Sequence, residues 1–230
     1  MTRTIPTNQV EQQKESGQDR LRASGMPVRA GGLASFLIAA AFLVPPWIYL
    51  TGNLGDLGGI LAYDLADFLS GPVLSASLVF VSYLLRERLG EGAPRRMDLA
   101  LLAALLAAAG MAAVAFVRAS NRHYHLIHPE LHLEDSVTVL AAWATLTAGL
   151  TGLGFHFLGW AFVLIGSAGW TARPFPRLLA GLYLLAGGLA WFVYRFPDLE
   201  GLVMFLAAII SIWQGILLWR SDIPESTAGG

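Results

Sequence analysis

Four of the five histidines in this 230-residue chain lie within one polar segment of ten positions, at His123, His125, His128 and His132. Imidazole and carboxylate groups are common ligands of zinc and related divalent ions. Two carboxylates, Asp64 and Asp67, are spaced three residues apart, so they lie on one side of a helix. The sequence therefore predicts a divalent metal site, zinc being the example, with ligands drawn from His125, His128, His132, Asp64 and Asp67.

The histidine segment and the two aspartates can each also be explained without a metal. His128 and His132 have helical i, i+4 spacing, but Pro129 disfavours helix at the residue before it. No Glu occupies the second position of an H-E-x-x-H motif. The histidine segment could therefore be a solvated turn, and the two aspartates could belong to an amphipathic segment on the membrane surface.

His156 is the only histidine inside an apolar run. Ionisable side chains within membrane spans usually face the bundle or a water-filled cavity. We therefore predict a polar pocket that contains His156, Thr151 and Trp160. A neutral histidine bonded to Ser or Thr on a neighbouring helix is the alternative. Bis-histidine haem ligation would require a second histidine within a span, so the sequence argues against haem.

The elements that position these groups are membrane helices. The chain is 55% hydrophobic and 13% charged, with a mean hydropathy of +0.58. Its apolar runs are about 20 residues long, the length of helix that crosses a bilayer. The composition predicts an all-α, polytopic membrane helical bundle with six transmembrane helices in residues 29–220. Residues 1–28 and 221–230 are predicted to be disordered tails. The predicted spans are 33–50, 56–85, 99–117, 137–170, 178–194 and 202–219.

The predicted spans two and four, residues 56–85 and 137–170, are longer than a membrane requires. The fourth run, residues 137–170, would be about 50 Å long as a helix. Both excess lengths fall on one side of the predicted bundle, with the two aspartates and the histidine segment. We therefore predict that these two helices project on the outer side. Roofed by a polar loop over residues 118–135, they would frame an outward-facing polar pocket.

The distribution of basic residues gives the orientation. Twelve of the 15 Lys and Arg residues lie in the two tails and the two loops that share their side. Only Arg118, Arg122 and Arg195 lie on the opposite side. Because cytoplasmic loops are enriched in Lys and Arg, both termini are predicted to be cytoplasmic.

The C-terminal half of the chain resembles a known family. The stretch Phe155-His-Phe-Leu-Gly-Trp is followed by the basic turn Trp170-Thr-Ala-Arg-Pro-Phe-Pro-Arg and then by a Leu/Gly-rich helix. This pattern is similar to a bacterial family of integral membrane proteins, the domain of unknown function 4386 family. The resemblance is best over spans four to six. It implies six helices in a bacterial cytoplasmic (inner) membrane and no established activity.

Three classes of function remain open. The first is a binding, sensory or scaffold protein with an outward-facing polar pocket, and it requires no catalytic motif. The second is a membrane-embedded, metal-dependent hydrolase that uses the outer His and Asp groups. The third is a small-molecule transporter, although spans one to three do not resemble spans four to six. The expected partners are the lipid bilayer and a second membrane protein or another copy of the chain.

Other chemistries are excluded by the residue inventory. The chain has no cysteine, which rules out disulfides and thiol catalysis. It contains no Walker loop, nucleophile elbow or dinucleotide fingerprint. No basic domain favours nucleic-acid binding.

Overall fold

The computed structural model describes residues 25–51, 57–90, 92–127, 133–171 and 175–220. These residues are almost entirely helical and contain no β-strand. The all-α prediction is therefore confirmed for the described part of the chain. The helices are α1 (Gly25–Thr51), α2 (Leu57–Phe68), a π-helical segment (Leu69–Val73), α3 (Leu74–Leu89), α4 (Pro94–Ile127), α5 (Leu133–Thr171), α6 (Arg177–Ala190) and α7 (Leu199–Arg220).

These helices form an antiparallel ring. The segments α2, π and α3 follow one another without a break and together form one long helix of the ring. Each helix of the ring packs against the next along the chain, and α7 closes the ring by packing against α1. The Arg122 end is the end of the bundle at which α1 and α4 finish and α2, α5 and α7 begin. The Arg88 end is the opposite end, where α3, α5 and α7 finish.

Five helical stretches in the described residues have the length and apolarity that a membrane span requires: Val28–Thr51, Gly58–Leu89, Pro94–Tyr124, Val137–Thr171 and Leu199–Arg220. The remaining apolar helix, α6, has 14 residues, or about 21 Å of helix. It nevertheless returns the chain from the Arg88 end to the Arg122 end, because its neighbours α5 and α7 both run the other way.

Small residues let the helices approach closely. A Cβ added to Gly187 on α6 would lie 2.7 Å from the backbone oxygen of Gly159 on α5, and one added to Gly110 on α4 would lie 3.0 Å from the Cα of Gly154. Most of the buried apolar residues of α4 are alanines, whereas Leu99, Leu102, Leu105 and Leu106 are exposed. This division is typical of membrane bundles, in which close backbone packing replaces large buried side chains.

The predicted loop after span three is partly wrong. Residues 118–127 continue α4 as helix, so this helix has 34 residues. It therefore runs beside α5, which has 39 residues, or about 58 Å. Polar residues such as Arg118 and Arg122 are consequently held on a helix rather than on a loop.

The π-helical segment was not predicted. It contains Pro72, which has no backbone N–H to donate. Beside it, Gly71 packs against Ala115, and the hydroxyl of Ser75 donates to the carbonyl of Ala108 at 2.7 Å. The irregular turn therefore lies at a close contact with α4. It joins α2, which carries the two aspartates, to α3.

Candidate functional site

The two aspartates of α2 face a single arginine of α4. Arg122 Nη2 lies 2.7 Å from Asp64 Oδ1 and 2.5 Å from Asp67 Oδ2, and Arg122 Nε lies 3.1 Å from the same Asp64 oxygen. The hydroxyl of Tyr49 on α1 donates to Asp67 Oδ1. Helices α1, α2 and α4 therefore meet in one network, which we call the ionic cluster: Tyr49, Asp64, Asp67 and Arg122.

The ionic cluster is buried to different depths. The side chain of Asp67 is 4% exposed and that of Arg122 is 12% exposed, whereas that of Asp64 is 33% exposed. His123 Nε2 lies 3.6 Å from Asp64 Oδ2 at the open edge. Because a buried carboxylate requires a counter-charge or hydrogen bonds, Arg122 and Tyr49 together account for the position of Asp67.

Aromatic rings connect the ionic cluster to a neighbouring arginine. The Tyr49 and Tyr63 rings are 5.3 Å apart, and Arg122 Cζ lies 5.7 Å from the Tyr63 centroid. On the other side, Arg118 Cζ lies 5.5 Å from the Tyr49 centroid. Arg118 is one helical turn before Arg122, so α4 holds both guanidinium groups against the same pair of rings.

Arg118 also lines a cavity of about 310 Å³ between α5 and the connection from α6 to α7. The polar groups of its wall are Thr147 and Thr151 on one side and Tyr194 and Glu200 on the other. A second cavity, of about 430 Å³, shares Ala148, Gly152 and Tyr194 with the first and extends to Leu153 and His156. Because they share these wall residues, the two cavities adjoin, and together we call them the α5 groove.

Gly152 determines how closely the groove walls approach. A Cβ at this position would lie 3.1 Å from the Cβ of Tyr194. The hydroxyl of Thr147 donates along its own helix to the carbonyls of Trp143 and Ala144, at 2.8 and 3.0 Å. Its oxygen lone pairs can still accept a hydrogen bond. The groove thus offers an arginine and a carboxylate at one end and an apolar surface with an imidazole at the other.

The predicted pocket of His156, Thr151 and Trp160 is brought together only in part. His156 and Thr151 line adjoining parts of the α5 groove, and Trp160 lines neither part. Trp160 Nε1 instead donates to His156 Nε2 at 3.2 Å. The side chain of His156 is exposed on the helix surface. It therefore faces the groove rather than the bundle interior, and its partner is on its own helix rather than on a neighbouring one.

The walls of the α5 groove also differ from the prediction. We expected the second and fourth spans to frame the outward pocket. Among the described residues, the lining comes from α4, α5 and the residues around the α6–α7 connection. Asp64 and Asp67 lie in the separate ionic cluster, which reaches the groove through Tyr49 and Arg118.

The predicted metal ligands are placed only in part. Asp64 and Asp67 share Arg122, so a metal ion would have to displace the guanidinium from both carboxylates. His125 lies in the last turn of α4, and its side chain is not described. His128 and His132 lie outside the described residues. Among the described side chains, no three His, Cys, Asp or Glu residues are close enough to hold an ion. The metal site stays a prediction.

Sequence reasoning missed the residues that join the two aspartates to the groove. Tyr49 falls at the end of the predicted first span, 33–50, and Arg118 and Arg122 fall in the predicted loop over residues 118–135. One signal was available: Arg118 and Arg122 are spaced i, i+4, as residues on one helical face are. Tyr194 and Glu200 carried no comparable signal, because they reach the groove through the turn between α6 and α7.

These features define a class of protein. The apolar helices of membrane-spanning length, packed as an antiparallel ring, make the chain a helical membrane protein. No protein family, curated protein or solved structure matches it. The family resemblance of spans four to six therefore stays a prediction.

Proposed function

We propose that this is a binding or sensory protein, or the subunit of a larger complex, that recognises a small amphiphilic molecule in the α5 groove. The carrying observation is the groove itself, with Arg118 and Glu200 at one end and an apolar surface beside His156 at the other. An acidic or strongly polar group fits beside Arg118. The apolar part of the same molecule would lie along Gly152 and Leu153.

The proposed setting is a bacterial cytoplasmic membrane crossed six times, with both termini inside. The antiparallel ring supports six crossings, since α6 must return the chain between α5 and α7. The predominance of Lys and Arg at the Arg88 end supports a cytoplasmic location for that end. The Arg122 end and the α5 groove would then face outward.

Helix geometry supports a position of the groove near the outer membrane surface. Thr151 precedes the last residue of α5, Thr171, by 20 residues, which is about 30 Å of helix. A hydrocarbon core is also roughly 30 Å thick. Thr147 and Arg118 would thus meet water and headgroups, while His156 and Leu153 would lie among the lipid chains, an arrangement that suits an amphiphile.

Mass spectrometry of molecules that co-purify with the full chain tests this function. Ala148→Phe fills the groove from an exposed position, and Ala141→Phe places the same ring on the same helix outside it. We expect at least one small molecule to co-purify with the wild type and with Ala141→Phe but not with Ala148→Phe or Arg118→Gln. The same set of molecules on all four proteins would refute specific binding in the groove.

The cysteine-free sequence allows a direct test of the proposed topology. Single cysteines at Ser16, Glu130 and Ser226 would each be the only thiol in the chain. A membrane-impermeant maleimide applied to intact cells should label Glu130→Cys alone, and permeabilised cells should show labelling at all three positions. Labelling of Ser16→Cys and Ser226→Cys from opposite sides would exclude an even number of crossings.

A further inference from the structure

Another cavity lies at the Arg88 end of the bundle, away from the α5 groove. Its volume is about 500 Å³, and the residues before α6 form part of its wall, together with the C-terminal turns of α3 and α7. The walls are mainly apolar, and two arginines, Arg88 and Arg220, complete the lining. Both arginines are exposed. We call this space the Arg88 cavity.

The inner part of the Arg88 cavity contains a buried amide. Gln214 is 3% exposed, and its Oε1 accepts a hydrogen bond from the hydroxyl of Tyr183. Its Nε2 is buried and has no hydrogen-bond partner among the described residues. Buried polar atoms nearly always have partners. Gln214 is part of the cavity wall, so an unpartnered amide in that wall indicates where a hydrogen-bond acceptor would be stabilised.

From these features we propose that the Arg88 cavity binds a phosphate-bearing molecule, with the phosphate between Arg88 and Arg220 and an acceptor oxygen at Gln214 Nε2. Guanidinium groups form the strongest side-chain hydrogen bonds to phosphate. Gln214 lies six residues before Arg220, or about 9 Å along the helix. A phospholipid headgroup spans that depth, and Leu85, Leu89 and Leu217 provide apolar contacts beside it.

Native mass spectrometry of the full chain in detergent tests this site with two probes, phosphatidylglycerol and phosphatidylcholine. The double variant Arg88→Gln/Arg220→Gln should bind phosphatidylglycerol at least about tenfold more weakly than the wild type. Arg95→Gln/Arg96→Gln is the matched control, because it removes two exposed arginines from the same end of the bundle, outside the cavity. It should bind as the wild type does.

An arm with inorganic phosphate distinguishes a lipid from a soluble phosphate compound. If the ligand is a lipid, millimolar phosphate should not displace phosphatidylglycerol. Displacement that requires both Arg88 and Arg220 would assign the same site to a soluble phosphate. Equal loss of binding in both double variants would overturn the proposal, because surface charge alone would then account for the binding. Equal binding of the two lipids by the wild type would also overturn it, because two arginines at the phosphate should favour the anionic headgroup.

Discussion

Replacing Arg122 by Gln should destabilise the protein more than replacing any exposed arginine, because it leaves a buried carboxylate without its counter-charge. Asp67 is 4% exposed and is bonded to Arg122 at 2.5 Å. Removing one partner of a buried ion pair typically costs about 3–5 kcal/mol. Since Tyr49 still donates to Asp67 and Asp64 can turn to solvent, we expect a loss of about 3 kcal/mol, at the lower end of that range.

The chain contains a matched control for this effect. Arg86 and Asp98 form an ion pair of the same type at 2.5 Å, with side chains 43% and 55% exposed. Exposed pairs contribute little to stability because water and salt screen them. Arg86→Gln should therefore leave the free energy of unfolding unchanged within experimental error. The two pairs have the same N–O distance, so a difference in stability reports the burial of Arg122 together with its second carboxylate partner, Asp64.

The assay is unfolding in mixed micelles by titration with dodecyl sulfate, followed by tryptophan fluorescence, for the wild type, Arg122→Gln, Asp67→Asn and the double variant. The double variant should be more stable than the sum of the two single losses predicts, by about 1–3 kcal/mol. If Arg122→Gln unfolds at the same dodecyl sulfate fraction as Arg86→Gln, the ionic cluster does not stabilise the bundle and the reasoning is refuted.

Three further predictions concern packing and metal binding. Gly187→Ala should destabilise the α5–α6 contact, because the new Cβ would lie 2.7 Å from the backbone oxygen of Gly159. Gly188→Ala is the control and should leave stability unchanged, because a Cβ there meets no atom within 4 Å. Dodecyl sulfate titration compares the two variants. Tyr183→Phe should cost about 1–3 kcal/mol in the same assay, since it leaves Gln214 Oε1 buried without a donor, and wild-type stability would contradict this. If the histidine segment binds zinc, elemental analysis should find about one zinc ion per wild-type chain and less zinc in His125→Ala/His128→Ala. Equal and negligible zinc content in the two proteins would refute the metal hypothesis.

The helical architecture could be predicted because a bilayer requires long apolar helices. The polar C-terminal part of α4 could not be recognised as readily as the apolar part. Arg118, Asn121 and Arg122 resemble loop residues to a search for apolar runs, although a helix that leaves the membrane can be polar. Their i, i+3, i+4 spacing was the information left unused.

The candidate site was predictable where it depends on local spacing and not where it depends on distant contacts. Asp64 and Asp67 were correctly placed on one side of a helix. Their partner Arg122 is 58 and 55 residues away, respectively, and no local pattern identifies it. Likewise, Trp160 is one helical turn from His156, but which way that face points depends on how α5 and α6 pack together.

The most direct test of an outward-facing groove is the accessibility of one residue inside it. Thr151→Cys would be the only thiol in the chain, and its side chain lines the groove beside Arg118. A membrane-impermeant maleimide should label it in intact cells, and filling the groove with Ala148→Phe should slow that labelling while Ala141→Phe should not. Labelling that occurs only after permeabilisation, or that is equally fast in all three proteins, would contradict the proposed site.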